Sequence, residues 1–99
     1  MILGRYVQQS TERRKRLLDY TDWLEDGETI SSVSATAVPD AEDAAALVVS
    51  GIVIDPDGKK FAYFVEDGED TVEYTVNFSV TTSLGQIRED EVVFEIEDL

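Results

Sequence analysis

"VEYTVNFSVTT", Val72 to Thr82, alternates without a break: Val72, Tyr74, Val76, Phe78 and Val80 fall on one side of an extended chain, and Glu73, Thr75, Asn77, Ser79 and Thr81 on the other. Period-two patterning of this kind demands a core on one face and water on the other. A slip of one residue would turn the whole apolar set into solvent, so the pattern also restricts the pairing register. Downstream, "SLGQ" turns the chain, and "EVVFEIEDL" sets Val92, Phe94 and Ile96 against Glu91, Glu95 and Glu97, with Val93 as an exception. A terminal strand with an acidic outer face resists pairing with other chains.

Upstream, "EDGED", Glu66 to Asp70, is expected to be a solvated hairpin tip around Gly68, with "FAYFV" as the strand leading into it. "DPDGKK" reads as a tight turn, since Pro56 presets φ at a corner and Gly58 tolerates positive φ. The nearly all-apolar "LVVSGIVI" before it suits a strand buried on both faces or one carrying a bulge at Gly51. In "TISSVSATAV", Val33, Ala35 and Ala37 alternate with Ser32, Ser34 and Thr36, and Pro39 closes the strand. "PDAEDAAAL" leaves two readings open, a helical turn capped by Asp40 or an irregular crossover. Short strands at such regular spacing predict an all-β fold, a single antiparallel β-sandwich over residues 14–99.

The opening segment is ambiguous, because Leu17, Tyr20 and Leu24 fall at helical spacing. We prefer a first strand from Arg14 to Tyr20 that ends in a "TDWL" turn, because a sandwich needs a partner along its first edge. Tyr20, Trp23 and Leu24 then form a structural corner, with Trp23 capping the mouth between the sheets and its indole N–H reaching a carbonyl.

With 99 residues the chain has room for one core. It contains no cysteine and no histidine, so a disulfide framework, a thiolate metal site and the commonest general base are all missing. Serines in "SSVSAT" have no neighbouring base to activate them, and no glycine loop is built to cradle phosphate. "DPDG" lacks the bidentate glutamate of a calcium loop, and one turn such as "EDGED" does not supply the six to eight oxygens that calcium takes. We therefore expect no catalytic residues, no metal and no cofactor. No apolar run approaches the ~20 residues that span a bilayer, and no signal-peptide segment opens the chain, so we expect a soluble, unprocessed protein without a membrane partner.

Net charge is −14, and its layout is uneven. Residues 1–16 carry five cations against one acid, whereas the other 83 positions carry three cations against 21 acids. An acidic body repels nucleic acid, which argues against DNA or RNA as the main ligand.

One combination of motifs is familiar. "DYTDWLEDGETI" is followed, after the middle strands, by "YTVNFSVTTSLGQIREDEVVF". The pair resembles a group of small structural proteins of tailed bacteriophages that open on a D-Y-x-x-D-W-L signature before an E-T-I strand. They close with a Y-T-V strand, a T-S-x-G turn and a last strand after an acidic residue. The matching positions are Asp19, Tyr20, Asp22, Trp23, Leu24, Glu28, Thr29 and Ile30, then Tyr74, Thr75, Val76, Thr82, Ser83, Gly85 and Asp90. The chain departs from the group in its lead-in, "QQSTERRKR" in place of a proline-rich stretch, and in "VEDGED" in place of glycine-rich turns.

The resemblance implies an immunoglobulin-like sandwich in a virion, at a head-to-tail or tail-to-fibre junction or on the shell. On that basis we expect an adaptor that joins tail, neck or fibre subunits in a symmetric, multi-copy assembly. Residues 1–13 are expected to extend as a basic N-terminal arm. Ile2, Leu3, Arg5, Tyr6, Arg13, Arg14, Lys15 and Arg16 are the expected docking residues, with Met1 and Val7 adding apolar surface. An alternative places the arm on its own subunit as an extra edge strand. Other readings are a capsid decoration protein and a free adhesin-like module that recognises a host surface or carbohydrate.

Overall fold

A computed structural model describes all 99 residues. Seven strands follow one another: β1 (Ile2–Gln8), β2 (Arg13–Asp19), β3 (Ile30–Pro39), β4 (Leu47–Ile54), β5 (Lys60–Asp67), β6 (Glu73–Thr82) and β7 (Ile87–Ile96). They form two packed sheets, one ordered β1-β7-β6-β3 and the other β2-β5-β4. The alternation of Val72 to Thr82 is realised in β6: Tyr74, Val76, Phe78 and Val80 are fully buried. Val92, Phe94 and Ile96 face the same core from β7, and Phe61, Tyr63 and Val65 meet them from β5 of the other sheet.

The N-terminal residues do not stand away from the body as an extended arm. Ile2–Gln8 form β1, which pairs with β7 in parallel, so the sandwich is not wholly antiparallel. The cause is a second period-two pattern, in which Tyr6 and Gln8 point inward while Leu3, Arg5 and Val7 point outward. Tyr6 stacks on Phe94 at 5.4 Å between ring centroids. Gln8 is buried, and its Nε2 donates to the Val65 carbonyl at 2.9 Å. β1 also explains the exception at Val93: Arg5 reaches across β7 to Glu73 at 3.7 Å, and Val93 beneath is 2% exposed.

Two connections differ from expectation. "EDGED" is not a hairpin tip, because β5 and β6 belong to different sheets and the segment carries the chain between them. Gly68 sits at the tightest point of this passage with φ +89°, and a Cβ there would lie 2.9 Å from Ile96 Cγ1 and 3.1 Å from Leu47 Cδ1. The segment after Pro39 forms the irregular crossover, with Asp40 N donating to the Glu73 carbonyl at 2.9 Å. Gly51 marks a bulge, where the β4–β5 register shifts between Ser50 and Val53, and a Cβ at this glycine would lie 3.0 Å from the Phe64 ring.

Because β1 supplies buried contacts, deleting residues 1–8 should lower the melting temperature of the isolated chain by about 8 °C or more, the equivalent of roughly 2 kcal/mol. A thermal melt followed by circular dichroism measures this, and a truncated chain as stable as the full one would show β1 to be dispensable.

Candidate docking surface

The corner after β2 is built around a buried carboxylate. The Tyr20 amide donates to the Lys59 carbonyl at 2.8 Å, while the Trp23 and Leu24 amides both donate back to the Tyr20 carbonyl, closing the turn. Tyr20 is buried, stacks on Phe61 at 6.1 Å, and takes the Trp23 ring edge-on at 6.0 Å. Its hydroxyl donates to Asp90 Oδ2 at 3.0 Å, and Arg88 Nε donates to the same oxygen at 2.8 Å. Burial and the Asp90 carboxylate both push the Tyr20 phenol well above its ordinary value. Asp90 is 2% exposed, so its charge is compensated inside the protein rather than by water.

Trp23 is half-buried. Its indole N–H makes no hydrogen bond to a carbonyl; instead the Arg88 guanidinium lies 5.3 Å from its ring centroid. Together Leu3, Asp19, Tyr20, Asp22, Trp23 and Arg88 line a shallow depression of about 320 Å³. Its walls carry two carboxylates and a guanidinium already engaged by Asp90, with no nucleophile activated by a base.

The expected docking residues separate into two groups. Met1, Ile2, Leu3 and Val7 are exposed by 70%, 48%, 38% and 60%, an apolar row along β1 that continues into the depression beside Trp23. Most of the cations are occupied within the chain. Arg13 lies over the Phe64 ring at 3.8 Å and pairs with Glu66, and Arg14 donates to Glu12 at 3.0 Å. Arg16 covers the Tyr6 ring at 3.9 Å, tying β2 to β1 across the two sheets. Tyr6 is thereby enclosed between Arg16 and Phe94. Arg5 is exposed beside Glu73, and Lys15 projects from the outer face of β2.

Several buried polar residues carry this region; Glu28, Thr82 and Asp90 are singled out in the sequence only as positions of the resembling motif, with no structural role assigned. Asp90 shares the inward parity of Val92 and Phe94, so a charge at a core-facing position is the available signal. Glu28 gives no such signal, because it lies in a loop. Its Oε2 accepts from Thr82 Oγ1 and from Gln86 Nε2 at 3.1 Å, and its Oε1 accepts from the Glu25 amide at 2.9 Å. The Thr82 hydroxyl, followed by the Glu25 amide, holds the Glu28 carboxyl below its ordinary 4.5. The acidic turns are likewise used locally: Glu69 accepts from the Ala45 amide and Asp70 from the Asp98 amide.

Two measurements follow from these contacts. Tyr20→Phe should cost about 1.5–3 kcal/mol in urea unfolding, because a donor to a buried charge is lost. Glu28 has a folded-state pKa below the unfolded one, so its contribution is fully present above about pH 4.5 and is lost as pH falls through the lowered value. Urea midpoints should therefore drop on acidification below pH 4.5, and Glu28→Gln should flatten that drop.

A protein-family model described as "Podophage GP4 fiber-tail adaptor protein gp77" matches residues 8–95. No curated protein matches the chain. Among solved structures, the chain is similar to part of a 2,6-sialyltransferase of Vibrionaceae Photobacterium sp. JT-ISH-224, with 11% identity and a TM-score of 0.48 over 98% of this chain. The chain spans 17% of that enzyme's length, and a likeness at this level bears on neither fold nor activity.

Proposed function

The chain belongs to the podophage fiber-tail adaptor family, and from that membership we propose that it is a non-enzymatic structural protein of the virion that joins a tail component to a fibre component. The observation that carries the reading is the extent of the match: residues 8–95 take in β2 to β6 whole and β7 short of its last residue, and leave out all of β1 but Gln8. The adaptor reading therefore rests on β2 to β7, and a docking role for β1 is a separate step.

The finer fold reading is an immunoglobulin-like sandwich. Its support is the strand order, in which β2-β5-β4 faces β3-β6-β7 as the B-E-D strands face C-F-G, with β1 moved beside the last strand. Further support comes from Tyr74 near the start of β6. Its hydroxyl accepts from the Glu69 amide five residues upstream at 2.8 Å and donates to the Ala45 carbonyl, in the manner of a tyrosine corner.

For docking, we take the β1 edge as the surface that meets one partner. Exposed Met1, Ile2, Leu3 and Val7 would be buried there, with Arg5 between Leu3 and Val7 held aside by its pair with Glu73. Arg13, Arg14, Lys15 and Arg16 would flank the contact from β2, Lys15 being the one among them without an internal ion pair or ring contact. A preformed edge strand avoids most of the ordering entropy that a free arm would lose on binding.

Phage particles assembled without this chain should lack fibres, as seen by electron microscopy, and supplying the chain in trans should restore them. Supplying a Leu3→Asp/Val7→Asp variant that melts within a few degrees of the parent should leave fibres sparse. Fibres present in normal number without the chain would refute the adaptor role.

A further inference from the structure

A sandwich of two open sheets has four edge strands, here β1, β2, β3 and β4. Unpaired amides and carbonyls along such edges are templates for another strand unless charge, proline or a bulge blunts them. β1 carries Arg5, and β2 carries Arg13 to Arg16 together with Asp19. β4 is interrupted by the bulge at Gly51, whose φ is +60°. β3 has a register shift between Ile30 and Ser32 and a proline at its end, and it runs close to β4 of the other sheet, but from Ser32 to Val38 it carries none of these devices. No charged residue occurs from Ile30 to Val38, its register with β6 is regular from Ser32 onward, and its proline is the final residue.

The neutrality extends inward from that edge. On the outer face, Ser32 pairs with Thr81, Ser34 with Ser79, Thr36 with Asn77 and Val38 with Thr75. These eight side chains make an uncharged platform two strands wide on a chain whose net charge is −14. Acids stand at both ends of it. Glu25 and Asp26 are exposed in the loop before β3, and Asp40, Glu42 and Asp43 are exposed in the crossover after it.

We infer that β3 is an open edge that accepts an extended segment of a virion partner as an added antiparallel strand, with uncharged residues opposite Ser32–Val38 and lysine or arginine at both flanks. The charge layout selects this occupant over a second copy. Antiparallel pairing of two β3 strands would bring the Glu25–Asp26 end of one copy against the Asp40–Asp43 end of the other, and like charges at such range oppose association. A partner strand with basic flanks meets acids at each end, and its neutral centre has main-chain groups to pair along the edge. The inference rests on the adaptor reading and gives it a second contact, on the side of the sandwich away from β1.

The test uses the full chain, isotope-labelled, titrated with a synthetic peptide of seven alternating Thr, Val and Ser residues flanked on each side by two lysines, and with its glutamate-flanked counterpart. The expected result is shifted and exchange-protected amides from Ser32 to Val38 with the lysine-flanked peptide. Binding of the glutamate-flanked peptide should be at least about tenfold weaker at low salt. Thr36→Lys, at an exposed position, should keep the melting temperature and abolish binding, whereas Thr36→Val should retain it. Shifts absent from β3, or equal affinity for both peptides, would overturn the proposal, and so would a β3-dependent dimer of the chain alone. Particles separate the two readings. If a Thr36→Lys chain still attaches fibres while particles without the chain have none, strand addition is wrong and the adaptor role stands.

Discussion

Phe78 holds the two sheets together. It sits at the middle of β6 in one sheet and packs against Tyr63 and Phe61 of β5 in the other, with ring centroids 4.7 and 5.4 Å apart. A chain of this size has few residues available for a core, and aromatic rings bury the most apolar surface per position. The other inward residues of β6, β7 and β5 are arranged around that contact, and the corner at Tyr20 extends it through Phe61. Every exposed feature relevant to docking is thus displayed on a frame whose rigidity comes from one aromatic cluster.

Charge is arranged around this frame by the pairing of strands. The basic segment near the N-terminus does not remain a free arm, because β2 lays its arginines against Phe64, Glu66, Glu12 and Tyr6. What faces solvent is then an acidic surface interrupted by the still-exposed Arg13, Arg14 and Lys15 of β2, by the exposed apolar residues of β1 and by the neutral β3 platform. The β1 residues and the β3 platform lie at sheet edges, where added contacts can include main-chain hydrogen bonds as well as side chains. In the proposed adaptor role, separate edges would allow two contacts to form without competing for one surface.

Legibility in the sequence follows the regularity of the local pattern. β6 and the Val92–Ile96 part of β7 can be read from alternation, which coincides with burial except at Val93, where β1 adds cover. The turn at Asp55–Gly58 and the bulge at Gly51 are legible from glycine and proline chemistry. Tyr20 is recognisable as a corner residue, but its partner Asp90 lies 70 positions away and is joined to it only in the fold. The path of Glu66–Asp70 escapes a local reading because a hairpin and an inter-sheet crossing use the same turn residues. β1 stands in the sequence between two readings, a free arm and an extra edge strand on its own subunit, because its apolar row suits a partner; the inward row, Tyr6 and Gln8, decides for the edge strand.

Period-two hydrophobicity and glycine and proline punctuation were enough to determine an all-β chain with a single core. These are local properties, written in residues that are neighbours in sequence. Which strand lies beside which, whether the first strand stands free or joins the sheet in parallel, and which edges remain open were decided only by the tertiary structure. Those outcomes depend on contacts between distant residues, such as Tyr6 with Phe94, Arg16 with Tyr6 and Tyr20 with Asp90, whose geometry exists only once both sheets have closed.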